Sequence, residues 1–292
     1  MDFKKYLKET AKKLDREAGK ILQEELKKAE KTDKKLVPLI TAFIKSCRGG
    51  KGIRGALVIL GYEMVNSKFK SKQSLRSKDL QKSKVKEIIK VAAAYEILHS
   101  AILVHDDIID RSLIRRDKPA LHKILGNNHY GLSQAISLAD YGFFLSYKII
   151  SGSQFPPEQK ASALKLYSQV MIETAWGEML DLESTDPLIV ATLKTARYTI
   201  AGPLQMGAVL GGAGQDIVRA IGEAGESLGI AFQIQDDILD KEDGIWGGRE
   251  KAKEMAEEYK IKAEKMLPEV TKDPKMSKIL EQMAEYLVER KN

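Results

Sequence analysis

The chain is poor in most of the residues that mark secreted, zinc-bound or β-rich proteins. One cysteine, Cys47, in 292 residues excludes an internal disulfide and fits a reducing, cytoplasmic compartment. With eight prolines and 7% aromatics against abundant Ala, Leu, Lys and Glu, the composition favours helices. No zinc-ligand spacing, aromatic stacking pattern or helix-turn-helix signal is present, so a nucleic-acid partner is not expected. Residues 1–31 are densely charged and carry no signal-peptide pattern. No uninterrupted apolar run reaches membrane-spanning length. The best candidate, 91–104, is interrupted by Glu96 and His99.

What is present is helical periodicity nearly everywhere. Apolar spacing predicts helices over 2–31, 34–47, 52–66, 84–108, 131–151, 158–183, 188–213, 216–240, 249–267 and 275–290. FPPEQ at 155–159 reads as a helix start, with Pro in the first turn. The lysine-rich stretch 67–83 and the RRDKP region read as loops. No convincing period-two strand and no Gly/Pro/Ser-rich linker appears. The expectation is one all-α domain over 1–292, with helices packed around a central cavity. The net charge of +7 is compatible with an anionic partner, although a solvated basic surface explains it equally simply.

Two acidic runs stand out. HSAILVHDDIIDRS ends an apolar stretch with Asp106, Asp107 and Asp110, and IQDDILD repeats the pattern with Asp236, Asp237 and Asp240. On a helix, residues three and four apart share a face, so three carboxylates converge at each helix end. One such cluster is ordinarily a surface feature. Two matched clusters, each following an apolar helix, call for a counterion. Mg²⁺ takes a few carboxylates together with waters and substrate phosphates, so magnesium bridging to a diphosphate is expected.

Basic residues supply the complement. RGGKGIRG places Lys51 and Arg54 beside a glycine loop, and LIRRDKPALH places Arg115 and Arg116 just after the first acidic run. His99 lies two helical turns before Asp106, and Lys194 stands alone in an apolar helix. Taken singly, His99 suits a core histidine and the arginines suit local ion pairs. Together they suit one metal-bound diphosphate and a second bound without metal.

These motifs resemble the trans-isoprenyl diphosphate synthases. DDIID and DDILD look like that family's aspartate-rich motifs, and GGKGIR like its GGKxxR element. GEMLDL, LKTARYTIAGPLQMGA and GIAFQIQDDILD follow in the family order. The resemblance implies an isoprenoid-synthase-type helical bundle, generally homodimeric, with the aspartate motifs facing across a deep pocket. It implies head-to-tail prenyl transfer between isopentenyl diphosphate and an allylic diphosphate. Asp106, Asp107, Asp110, Asp236, Asp237 and Asp240 would hold up to three Mg²⁺ ions. Arg115 and Lys194 would clamp the allylic diphosphate. Lys51, Arg54, His99 and Arg116 would hold isopentenyl diphosphate, with Phe232 among the substrate-binding residues. Thr195 and Gln233 would present oxygens near the carbocation.

The chain departs from that pattern at Asp117, where Gly is common, at Ala139, where Gly is usual, and at Glu178, where Gln is common. After Asp240, DKEDGIWGGREKAKEM passes almost directly to a later family helix, so a break or disorder is expected between Asp240 and Trp246, with a true deletion the alternative. For product length, the helix face running back from Asp106 offers Ile102, Ala101, Leu98 and Tyr95. In the family these motifs resemble, an aromatic residue near this depth stops elongation early, so the resemblance implies that small Ala101 argues against a strict C15 product. Tyr95 is the next bulky candidate, which suggests C20, geranylgeranyl diphosphate, with longer chains the alternative.

Overall fold

The computed structural model describes residues 2–66, 75–183 and 186–289. The described chain is helical apart from one two-stranded hairpin, as the apolar periodicity requires. It divides into two compact units. One comprises 8–56 and 84–154; the other comprises 1–7, 57–83 and 155–292.

The first unit holds most of α1 (Phe3–Thr32), all of α2 (Leu36–Ser46), and most of α4 (Leu75–Ile109). It continues through β1 (Ile114–Arg115), β2 (Lys118–Pro119), α5 (Leu121–Ile124) and α6 (His129–Ser151). Leu14, Leu22, Phe43, Ile97 and Leu98 are buried here, and Phe43 meets Tyr141 edge-on with ring centroids 6.0 Å apart. Asn128 starts α6 by accepting from the Gly131 amide at 2.9 Å. Part of the loop expected over 67–83 is already helix, because α4 begins at Leu75; residues 67–74 lie outside the described residues. One stretch, Lys82–Ile109, is long and apolar enough to cross a membrane, against expectation, because Glu96 and His99 do not outweigh its aliphatic residues. Of its most apolar window, 61% is buried inside the fold, as in a core helix.

The expected loop at RRDKP is instead a hairpin, with Arg115 opposite Lys118. Arg116 (φ +52°) and Asp117 (φ +59°) form its two-residue turn, and both are left-handed, as a type I′ turn requires. The departure from Gly at position 117 therefore falls where Gly is least strained. Aspartate is among the side chains that tolerate this region.

The second unit contains most of α3 (Ile53–Asn66), α7 (Pro157–Leu182), α8 (Pro187–Val190), a π-helix (Ala191–Ala201) and α9 (Gly202–Leu210). It closes with α10 (Gln215–Asp240), a 3₁₀ turn (Asp243–Trp246), α11 (Arg249–Val270) and α12 (Pro274–Val288). Pro157 occupies the first turn of α7, as FPPEQ indicates. The single helix expected over 188–213 is in fact three segments, the middle one a π-helix of 11 residues. Helix α10 packs on the π-helix, α9, α11 and α12.

After Asp240 the chain turns sharply. The backbone runs on as one left-handed residue, Lys241 (φ +65°), and the 3₁₀ turn, with Trp246 buried. The indole fills a core made by Ala191, Ala196, Ile234, Ile238, Ala252 and Ala256. That packing anchors the short connection to α10 and α11.

Candidate active site

The two acidic runs close their helices in the same way. In α4 the residue after Asp110 is Arg111, left-handed at φ +54°, and the Ser112 amide donates to the Asp107 carbonyl at 2.9 Å. In α10 the residue after Asp240 is Lys241, left-handed at φ +65°, and the Glu242 amide donates to the Asp237 carbonyl at 2.8 Å. Glycine ordinarily occupies such a position; a basic residue stands there in both motifs. Each cluster thus sits at a helix C-terminus, where the backbone carbonyls add negative potential. Carboxylates and helix dipole act together to attract a cation.

Within the first cluster the three side chains differ. Asp107 is buried, Asp106 half-buried and Asp110 exposed. Arg115 lies 2.6 Å from Asp107 Oδ1 through Nη2 and donates to the same oxygen from Nε at 2.7 Å; Asp106 Oδ2 is 3.5 Å away. Burial pushes the Asp107 carboxyl above the usual range, while the Arg115 guanidinium pulls it back. A cavity of about 340 Å³ beside this cluster is lined by Lys45, Arg48, Ser100, Asp107, Arg115 and Arg116, among others.

The hairpin turn aims Arg116 at the glycine loop. Its Nη1 donates to the Arg48 carbonyl at 3.2 Å, and a Cβ on Gly50 would lie 3.3 Å from its Nη2. Arg54 Nη1 is 3.2 Å from His99 Nε2. A guanidinium only donates, so Nε2 must accept and the ring proton sits on Nδ1. Burial, then the charges of Arg54, Arg116 and Arg115, hold His99 well below its ordinary pKa. Lys51 is exposed. Glu96 accepts from the Gly55 amide at 2.7 Å. Burial raises its carboxyl pKa against the pull of that amide and Arg54. Sequence reasoning met Glu96 only as a break in an apolar run. A lone carboxylate in such a run was itself the signal that something must satisfy it.

A histidine held neutral makes stability acid-sensitive. Unfolded, His99 takes up a proton near pH 6.5, while the folded ring resists it. Stability is therefore lost as pH falls below that value, by up to about 1.4 kcal/mol over the first unit. The His99→Gln chain should lose less stability than the parent between pH 7.5 and 5.5 in urea titrations. Equal losses would show that His99 is not held neutral.

In the second unit, Lys194 projects from the π-helix between two carboxylates, 2.6 Å from Asp181 Oδ2 and 3.0 Å from Glu178 Oε2. Burial works against its charge, but these partners raise its pKa above the ordinary lysine value. Glu178, the departure from Gln, is thus a second counter-charge on Lys194. Thr195 is half-buried next to it. In α10, Gln233 Nε2 donates to Asp237 Oδ1 at 2.7 Å and Trp246 Nε1 donates to Asp237 Oδ2 at 2.7 Å. With its amide nitrogen on Asp237, Gln233 keeps its oxygen for another partner. Phe232 is buried, Asp236 half-buried and Asp240 exposed. Each oxygen of Asp237 thus accepts a hydrogen bond from a neutral donor. Trp246 was missed as its partner. One of only two tryptophans, six residues after Asp240, was the available signal.

Among the described residues no three His, Cys, Asp or Glu side chains converge closely enough to hold an ion by themselves. Paired hard oxygens at each helix end are still the donor chemistry that Mg²⁺ takes when waters and phosphates complete its shell.

Comparison with known proteins accords with this geometry. The family described as polyprenyl synthetase matches residues 37–244. The chain belongs to that family. It is 30% identical over 200 residues, 66% of its length, to a geranylgeranyl diphosphate synthase of Methanosarcina mazei, covering 55% of that protein. It is 36% identical over 162 residues, 52% of its length, to a geranylfarnesyl diphosphate synthase of Aeropyrum pernix, covering 49% of it. The chain thus spans about half the length of the curated relatives it matches. The fold is that of a geranylgeranyl pyrophosphate synthase from Corynebacterium glutamicum complexed with isoprenyl diphosphate and magnesium. The TM-score is 0.81 at 19% identity, covering 99% of this chain and 100% of that one.

The residues expected to set product length lie on two faces of α4. Tyr95 and Leu98 are buried and Ile102 is half-buried. Ala101 points elsewhere: a Cβ on Gly142 of α6 would come within 2.7 Å of both the Ala101 methyl and Phe43 Cζ. Ala101 is therefore a helix-contact residue.

Proposed function

We propose that this polyprenyl synthetase performs head-to-tail prenyl transfer, condensing isopentenyl diphosphate with an allylic diphosphate to give a short all-trans prenyl diphosphate. The observation that carries this reading is the twin architecture of the aspartate motifs, each closing a helix C-terminus with the same left-handed basic cap. Asp106 and Asp110, with Asp236 and Asp240, would hold Mg²⁺ against the allylic diphosphate; the metal, when bound, neutralises the departing diphosphate. Arg115 and Lys194 bind the same group, Lys194 by exchanging Asp181 and Glu178 for phosphate oxygens. Lys51, Arg54, His99 and Arg116 bind isopentenyl diphosphate. The allylic C–O bond breaks, and Thr195 and Gln233 offer oxygens to the resulting carbocation. The isopentenyl double bond attacks, and a proton is lost. No protein nucleophile is needed; burial pushes the Cys47 thiol up to about 12, which keeps it inert. Positioning and electrostatics supply the rate.

The proposed product is C20, in keeping with the name of the Methanosarcina relative; the Aeropyrum name makes C25 the alternative. Tyr95→Ala should lengthen the product by one isoprene unit, read by chromatography of the dephosphorylated alcohols. Ala101→Phe should lower stability by about 1–3 kcal/mol through overpacking against α6 without redirecting the product to C15. An unchanged distribution in Tyr95→Ala would remove this helix face as the determinant.

We place the enzyme in the cytoplasm as a homodimer. Exposed apolar side chains recur on one face of α6, with Phe144 at 75%, and of α7, with Trp176 at 50%, which suits a protein partner. Sedimentation of the pure chain at a single 32.6 kDa mass would exclude the dimer.

A second reading, a non-catalytic partner subunit of the same fold, draws on the short connection after Asp240. Diphosphate release separates the two. Release that needs both substrates and Mg²⁺ supports the synthase; no release under any metal condition supports the subunit.

A further inference from the structure

We propose that Trp246 is a positioning residue for the second aspartate motif, orienting Asp237 and with it the last turn of α10, which presents Asp236 and Asp240 toward metal. This rests on the prenyl-transfer reading and adds a residue outside the two motifs to it. The two oxygens of Asp237 are divided between neutral donors, Gln233 Nε2 and Trp246 Nε1, both at 2.7 Å. Asp237 is 6% exposed and Trp246 4% exposed. Each oxygen keeps a second lone pair, so the two donors fix how the Asp237 carboxylate is oriented.

The indole is itself immobile. It is wedged among the π-helix, α10 and α11 through Ala191, Ala196, Ile238, Ala252 and Ala256. The turn that carries it is closed at both ends. The Glu242 amide returns to the Asp237 carbonyl at 2.8 Å, and the Gly248 amide to the Asp243 carbonyl at 3.1 Å. Arg249 adds a contact of 3.7 Å to Asp243. Asp237 is thus gripped by its carbonyl and by both side-chain oxygens. The last turn of α10 is locked in rotation, and that rotation sets where Asp236 and Asp240 point. The same core includes Ala191 and Ala196 of the segment bearing Lys194, so one side chain braces both the acidic motif and the π-helix.

The test compares Trp246→Phe and Asp237→Asn in the full chain. Rates are measured against Mg²⁺ concentration at saturating substrates, and indole N–H resonances are recorded with and without Mg²⁺ and inorganic pyrophosphate. Trp246→Phe keeps the ring and loses only the N–H, so the expected result is about a tenfold rise in the Mg²⁺ needed for half-maximal rate. Asp237→Asn should shift the Trp246 indole resonance. Should Trp246→Phe fail to fold, the Trp246 resonance in Asp237→Asn decides alone: a shift supports the link and no shift overturns it. An unchanged Mg²⁺ requirement in folded Trp246→Phe overturns the proposal. If the parent chain transfers no prenyl group, the prenyl-transfer reading fails, and the resonances still report separately on the Trp246–Asp237 bond.

Discussion

Asp106→Asn and Asp236→Asn should each lower kcat/KM by a factor on the order of 10²–10³, the usual cost of removing one group that stabilises transition-state charge. Both side chains are half-buried at helix C-termini, so the change removes a charge without opening a cavity. Melting temperatures should stay within a few degrees of the parent. The decisive measurement is the double variant. If both carboxylates serve one diphosphate, its loss falls well short of the product of the single losses, because groups acting as a unit are not additive. Fully multiplicative losses would mean that the motifs act separately, and the proposed mechanism would fall.

Gly177→Ala should couple a stability defect to a substrate defect. A Cβ there would press on the Lys194 amide nitrogen and lie 2.8 Å from Lys194 Cα, both backbone atoms that cannot rotate away. Helix α7 and the π-helix would have to separate. The expected cost is about 1–3 kcal/mol, roughly 2–4 °C of melting temperature per kcal/mol in a chain of this size. Lys194 would move with its backbone, away from Glu178 and Asp181. KM for the allylic diphosphate should rise by about tenfold. A parent-like melt would show that the two helices do not meet this closely; a lowered melt with unchanged KM would free Lys194 from substrate binding.

Helix positions were legible because apolar spacing follows burial, and most boundaries fall within a few residues of expectation. The failures share a cause: local backbone choices that composition does not encode. Arg116 and Asp117 form a type I′ turn without the Asn-Gly pair that announces one. Residues 191–201 keep helix-forming side chains while adopting a wider hydrogen-bond pattern. The site was legible by chemistry more than by contact. Arg54 with His99 and Arg115 with Asp107 do meet. That an indole orients Asp237 was invisible, since Trp246 lies nine positions away in the chain. The packing of Ala101 was hidden for a similar reason. Its neighbour Gly142 makes room for a helix contact, and a small residue facing a glycine looks the same in sequence as a small residue facing a void.

The π-helix has a consequence for how this chain tolerates length changes. An ordinary helix loses its register when one residue is deleted, because everything beyond the deletion rotates by about 100°. The Ala191–Ala201 segment already carries surplus backbone per turn, since its bonds reach to the fifth residue. Removing one residue there need not shorten the element; it can tighten the coil toward α geometry. Residues beyond the deletion could stay in place while Lys194 and Thr195 turn to a different bearing. The segment is therefore a spot where heredity can re-aim two side chains by a single codon loss while the surrounding bundle is kept.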